Sequence, residues 1–269
     1  MSYGFRIIND YGNVSVDESN PTYIALNSSQ VAIASTSGEF VNNHSEDYFP
    51  DYYVATFAVV FTIPVRSLSP PLVFTKSKNT GAGIWTNQVR AVGQPGNWVG
   101  VIFSHWMFFD FGGGYTLPEI LNKYAPKYLI AVAGGPASGQ SHGIRIRDAQ
   151  GTIVFDAGNN QISYTRDLGE WNLVDNDNPA PGVQIETWAI EGKLATNEWL
   201  LASPVASGQF LRYNGENSAA WMILPPDDQA SSGYRYGRQV TTGNSGTNIF
   251  WPTMCVKETI PLDGTQLFF

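Results

Sequence analysis

The chain has 269 residues and a net charge of −8, with Lys+Arg 15 against Asp+Glu 23. Its densest positive cluster is Lys76-Ser77-Lys78, which argues against a nucleic-acid partner because phosphate contacts dominate that affinity. The single Cys255 excludes an internal disulfide and a Cys-based zinc site, and no apolar stretch approaches the roughly 20 residues a bilayer-spanning helix needs, so no membrane insertion is expected.

Charged residues make up only 14% of the chain, against about 25% in ordinary soluble domains, and aromatics reach 13%. That balance suits sheets and subunit contacts, since interfaces are depleted in charge and enriched in aromatics. Met1-Ser2-Tyr3 shows no leader. The expectation is synthesis in the cytosol, or exit by a route other than a cleaved leader.

Taken in chain order, the first elements form a hairpin. Phe5 and Ile7 alternate with Arg6 and Ile8, a turn is centred on Gly12, and Val14 and Val16 alternate with Asn13 and Ser15 before Asp17. The run Tyr52 to Ile63 is rich in β-branched and aromatic residues and reads as a strand stopped by Pro64. Leu72–Thr75, Gly83–Thr86, Asn97–Ser104, Trp106–Asp110 and Lys127–Ala133 read as further strands. The one helical signal is Leu117 to Tyr124, with Thr116 as its N-cap and Pro126 ending it. In the second half, Gln184–Ile190, Trp199–Ala202, Gly208–Tyr213, Ala219–Leu224, Thr247–Trp251 and Met254–Lys257 read as strands. Asn172 to Gly182 and Asp227 to Gly246 read as long polar loops.

The chain repeats its opening unit. Gly4-Phe5-Arg6-Ile7, Gly12 and Val14-Ser15-Val16-Asp17 return at a constant offset as Gly143-Ile144-Arg145-Ile146, Gly151 and Ile153-Val154-Phe155-Asp156, with no insertion. Fixed-offset similarity exposes the building unit of a fold. Turn signals about every 10 residues add a sandwich or barrel expectation. The reading is all-β: two tandem antiparallel β-sandwich-like domains with minimal helix, at 1–133 and 142–269, joined by a Gly/Ser/Pro linker at 134–141.

The search for chemistry finds no catalytic constellation, so no catalytic, cofactor or metal residue is assigned and no enzyme activity is expected. His44, His105 and His142 share no ligand spacing. Asp175-Asn176-Asp177 with Glu186 places acids at calcium-loop spacing, but Pro179 and Ala180 occupy positions that require a ligand and a glycine, so it reads as a solvated loop. No Gly-x-x-x-x-Gly-Lys phosphate loop exists. Trp98, Trp188 and Trp221 lie at alternating strand positions and read as core. The apolar end Leu267-Phe268-Phe269 is assigned as a subunit contact, with packing onto its own domain as the alternative.

The repeated unit resembles a family of siphophage tail-tip and tail-fibre proteins. Its members begin with Tyr-Gly-apolar-x-apolar, then a Gly turn and an apolar strand ending in Asp. Here these are Tyr3-Gly4-Phe5-Arg6-Ile7, Gly12 and Val14 to Asp17; the second copy has His142 where the Tyr stands. Pro71-Leu72-Val73-Phe74 and Trp106 to Asp110 resemble later segments of the family. The resemblance covers about a third of the chain. It implies a structural and adhesive virion subunit of a tail tip, baseplate or fibre, made in the host cytoplasm and contacting other tail proteins. A homo-oligomer is expected, a trimer by preference, with a host glycan or surface protein as receptor. The rival readings are a carbohydrate-active depolymerase, which needs two converging carboxylates, and a glycan-binding lectin-like module.

Overall fold

The computed structural model describes residues 6–8, 14–17, 22–41, 52–76, 84–107, 119, 127–167, 169–170, 172–180, 183–189, 195, 197–202, 220–224, 235–241 and 254–258. The all-β expectation holds across them. In chain order the strands are β1 (Arg6–Ile8), β2 (Val14–Asp17), β3 (Tyr23–Ala25), β4 (Val31–Val41), β5 (Tyr52–Val65) and β6 (Leu72–Lys76). Next come β7 (Ile84–Gln94), β8 (Asn97–Met107), β9 (Lys127–Ala133), β10 (Arg145–Arg147), β11 (Ile153–Asp156) and β12 (Ile162–Asp167). The last six are β13 (Asn172–Ala180), β14 (Val183–Ala189), β15 (Glu198–Leu201), β16 (Ala220–Leu224), β17 (Arg235–Thr241) and β18 (Met254–Glu258). The helix expected at 117–124 lies, apart from Glu119, outside the described residues, as do the strands expected at 208–213 and 247–251.

Both copies of the repeat are hairpins, and they share one register. Arg6 stands opposite Asp17, Ile7 opposite Val16 and Ile8 opposite Val14. Arg145 likewise stands opposite Asp156, Ile146 opposite Phe155 and Arg147 opposite Ile153. The register shifts after the second pair in each hairpin, so even the bulge recurs. The recurring Arg and Asp are therefore cross-strand partners, which gives their identity in both copies a physical reason.

The remaining strands form two antiparallel sheets: a six-stranded sheet in the order β12-β18-β15-β6-β9-β3, and an eight-stranded sheet in the order β13-β14-β17-β16-β7-β8-β5-β4. Their facing surfaces make a sandwich core. Phe57, Val59, Val101 and Phe103 of the larger sheet meet Ile24, Val73, Tyr128, Ile130 and Val132 of the smaller one. Phe57 and Phe103 stack with centroids 4.8 Å apart, and Phe103 meets Tyr128 at 4.5 Å. Such aromatic pairs add to the large area they bury.

The smaller sheet is buried on its other face too. Ala25, Phe74, Leu129, Ala131, Trp199, Leu201 and Val256 form a second apolar cluster there. Curling explains it. The two edge strands of this sheet approach each other: Ile24 bridges Gln161 antiparallel, and the Ala25 N–H donates to the Asn160 carbonyl at 2.7 Å. The sheet thus bends back upon itself towards a six-stranded barrel, with the second cluster as its filling. Closure also removes two exposed edges, which otherwise invite pairing with other chains.

The ladders run across residues 134–141. β15 pairs with β6, setting Leu200 opposite Thr75 and Leu201 opposite Phe74, and β16 meets β7 at Ile223 and Thr86. Both sheets therefore draw strands from either side of that segment.

Two stretches expected as loops contain strands. Asn172 to Gly182 contains β13, paired with β14. Asp227 to Gly246 contains β17, paired with β14 and β16. β13 is an edge strand, where acidic residues are tolerated and discourage further pairing. Asn176 stands opposite Glu186, so the acids at calcium-loop spacing belong to a β-ladder. The two strands expected at 97–104 and 106–110 begin as one strand, β8, and β4 gave no strand signal that the reading used.

Candidate functional site

Asp156, at the end of β11, is the most heavily bonded side chain of the second hairpin. It is 4% exposed. It accepts hydrogen bonds from Arg145 Nε at 2.7 Å, Ser138 N at 3.0 Å, Ser138 Oγ at 2.9 Å and Gly158 N at 3.0 Å. Burial pushes its pKa up, but the donors from Ser138, Gly158 and Arg145 outweigh that and lower it from 3.8 to about 2. Asn159 Nδ2 donates to the Pro136 carbonyl at 2.9 Å. The segment expected as a plain linker is thus fastened to the hairpin at two points. At the hairpin's turn, the Gly151 φ of 82° supplies the left-handed conformation that the sequence pattern demanded.

Glu198 opens β15 and is 6% exposed. Arg166 Nη2 donates to its Oε2 at 2.8 Å and Arg166 Nε to its Oε1 at 3.1 Å, while the Ala195 N–H donates to Oε2 at 2.9 Å. The Arg166 hydrogen bond, working against burial, brings the carboxyl from 4.5 down to about 2. Both carboxylates are held ionised by fixed donors, which suits anchors and not proton donors near neutral pH. At the β6–β15 seam the Lys76 Nζ lies 5.4 Å from the Trp199 indole centroid.

No family model, curated protein or solved structure matches this chain.

The eight-stranded sheet also has a face turned away from the core, on which Ser104 is nevertheless 8% exposed. Side chains alternate across a strand, so the residues between the buried Phe57, Val59, Val101 and Phe103 occupy that face. Four cross-strand rows run over β4, β5, β8 and β7. Ala32, Val60, Gly100 and Val92 make the first, and Ala58, Ile102 and Arg90 follow in the second. Ser37, Thr56, Ser104 and Gln88 make the third. Glu39, Val54, Trp106 and Trp85 make the fourth, with the two tryptophans directly opposite each other. Val60 is 38% exposed, and Ala32 and Arg90 are exposed. The Thr56 and Ser104 hydroxyls bond each other at 3.0 Å, so this pair meets part of its polar demand without water.

The assigned contact residues Leu267, Phe268 and Phe269 lie outside the described residues. Of the histidines, His44 also lies outside them, His105 stands in β8 opposite Ala55 and Thr86, and the exposed His142 shares a 2.8 Å hydrogen bond with Ser141 Oγ through Nδ1. Among the described residues no three His, Cys, Asp or Glu side chains gather where they could hold a metal ion. Trp98 is core, as read: it is 9% exposed and its Nε1 donates to the Ser67 carbonyl at 3.0 Å. The Trp85–Trp106 pair was not anticipated. Its signal was the shared alternation of two strands joined by the tight Pro95-Gly96 turn.

Proposed function

We propose that this chain is a structural and adhesive subunit of a bacteriophage tail tip, baseplate or fibre. In this reading it is made in the host cytoplasm, incorporated into the virion, and forms a homo-oligomer that contacts other tail proteins and the host surface. The observation that carries the reading is the duplicated hairpin. Its Tyr-Gly-apolar-x-apolar opening, Gly turn and apolar strand ending in Asp are the features through which the chain resembles siphophage tail proteins, and the Arg and Asp that recur in both copies are register partners. A rigid all-β body with interlocked sheets also suits a particle that binds by avidity, where several weak contacts act together. Antibody raised against the full chain should label tails in electron micrographs of virions from a phage encoding it. Labelling of capsids only, or of no particle at all, would contradict the proposal.

A second reading, glycan binding, is favoured by the Trp85–Trp106 row. Register sets Trp85 opposite Trp106 and puts Glu39 in the same cross-strand row, and tryptophan and glutamate are residue types that stack on sugar rings and accept from sugar hydroxyls. On a glycan array, a bound glycan should lose at least about tenfold in affinity with Trp106→Ala, or roughly 1.4 kcal/mol. Unchanged binding by that variant would remove the reading.

A further inference from the structure

We propose that one end of the eight-stranded sheet rests on an anionic lipid surface, with Ile63 and Leu68 dipping into the headgroup layer. This goes beyond the tail reading and does not rest on it. The contact is shallow and crosses nothing, so it needs no spanning segment. At this end β4 and β8 begin while β5 and β7 stop, as the pairs Val31–Phe61, Val65–Trp98 and Gln94–Asn97 show. Between Val60 and Val65 the chain leaves its ladder with β8. Ile63 stands in that departure and is 66% exposed, and Leu68 follows on the β5–β6 connection at 80%. Among the described residues they are the two most exposed large apolar side chains. Water around such groups is unfavourable, and transfer to the boundary of the acyl chains removes it.

Charge selects the partner. The chain carries a net charge of −8, yet residues 26–38, 54–72 and 84–107 hold no Asp or Glu, and their charges are the exposed Arg66 and Arg90. An acid-free end on an acidic protein is complementary to anionic headgroups, which attract arginines close to the surface. Arg66 lies between the two aliphatic residues in sequence, and its long stem lets the guanidinium stay with the phosphates while Ile63 and Leu68 go deeper. The backbone at this end also asks little of water. Pro64, Pro70 and Pro95 are exposed and have no N–H. The Gln30 carbonyl accepts from Thr62 N at 3.0 Å and Thr62 Oγ1 at 3.2 Å, and the Ser67 carbonyl accepts from Gly96 N at 2.8 Å and Trp98 Nε1 at 3.0 Å. Each carbonyl thus fills both lone pairs internally, so a drier layer costs it little. The same bonds tie the β3–β4 and β7–β8 connections to the segment that carries Ile63 and Leu68, which holds the apolar side chains on a firm support.

The test is flotation of the purified full-length chain with vesicles of equal parts phosphatidylcholine and phosphatidylglycerol, and with vesicles of phosphatidylcholine alone, with circular dichroism on every variant. The wild type should float with the mixed vesicles and bind them more tightly than the neutral ones. Ile63→Ser combined with Leu68→Ser should weaken binding at least about tenfold while keeping the β spectrum. Leu68→Ser alone, at the more exposed position, should weaken it by a smaller factor. Arg66→Glu should erase the preference for anionic vesicles. Ile144→Ser, at another exposed apolar position beside β10, should change nothing. A wild type that binds neither kind of vesicle overturns the proposal, as does binding that ignores both serine variants or falls equally with Ile144→Ser. Self-association that Leu68→Ser disperses, in place of vesicle binding, overturns it too and assigns this end to a contact between copies. Anionic preference retained by Arg66→Glu overturns the role given to that charge. Tail labelling without vesicle binding would reject this surface and leave the tail reading standing; vesicle binding by a chain absent from virions would do the reverse.

Discussion

Asp156 concentrates much of the residue-scale behaviour. A 4%-exposed carboxylate with four donors cannot be truncated without leaving Ser138 N, Gly158 N and Arg145 short of a partner. With Arg145 a third exposed, leaving these donors short of a partner costs about 2 kcal/mol. Asp156→Ala should lower stability by that amount in urea titration, and a change under about 0.5 kcal/mol would show that the anchor is idle. Acid should reveal the same chemistry. Asp156 and Glu198 have folded values of about 2 against 3.8 and 4.5. A depressed folded value means the stabilisation is complete above the unfolded value and is lost as pH falls through the folded one. Stability should therefore drop between about pH 4.5 and pH 2, by on the order of 2–3 kcal/mol for each group. Asp156→Asn should flatten its part of that fall, as read by thermal unfolding at stepped pH. Alternation made the hairpin strands legible and self-similarity made the second copy visible. The anchoring was not legible, because nothing in a Gly/Ser/Pro run announces that Ser138 will meet a carboxylate 18 residues later.

At the scale of elements, the central β5–β8 ladder is the stiffest test of the packing. A methyl group added at Gly100 would run into the Val59 carbonyl oxygen, which is backbone and cannot swing aside. Gly100→Ala should therefore destabilise by about 2 kcal/mol or more, although alanine is the smallest replacement available. Phe103→Ala should cost about 3–5 kcal/mol, because it removes a fully buried ring stacked on Phe57 and touching Tyr128. Chemical denaturation of both variants checks these values, and losses under about 1 kcal/mol would contradict the packing described. The strong strands were readable because β5 and β9 carry continuous β-branched and aromatic runs. β13 was not, since Asp175, Asn176, Asp177 and Pro179 carry turn chemistry, and an edge position in the sheet overrides that local preference. Which strands become neighbours is likewise absent from local pattern: β6 lies beside β15 through contacts more than a hundred residues apart.

Across the whole molecule, both halves of the chain contribute strands to the two large sheets. Val73 and Tyr128 face the sandwich core, while Phe74 and Leu129 turn to the barrel filling beside Trp199 and Val256. The two clusters therefore share the backbones of β6 and β9, and losing one exposes the other. Cooperative unfolding follows from that sharing. Scanning calorimetry of the full-length chain measures it directly. A single transition is predicted, with calorimetric and van't Hoff enthalpies equal, and Asp156→Ala should move all of it to lower temperature. Two separable transitions, with that substitution shifting only one of them, would contradict the account.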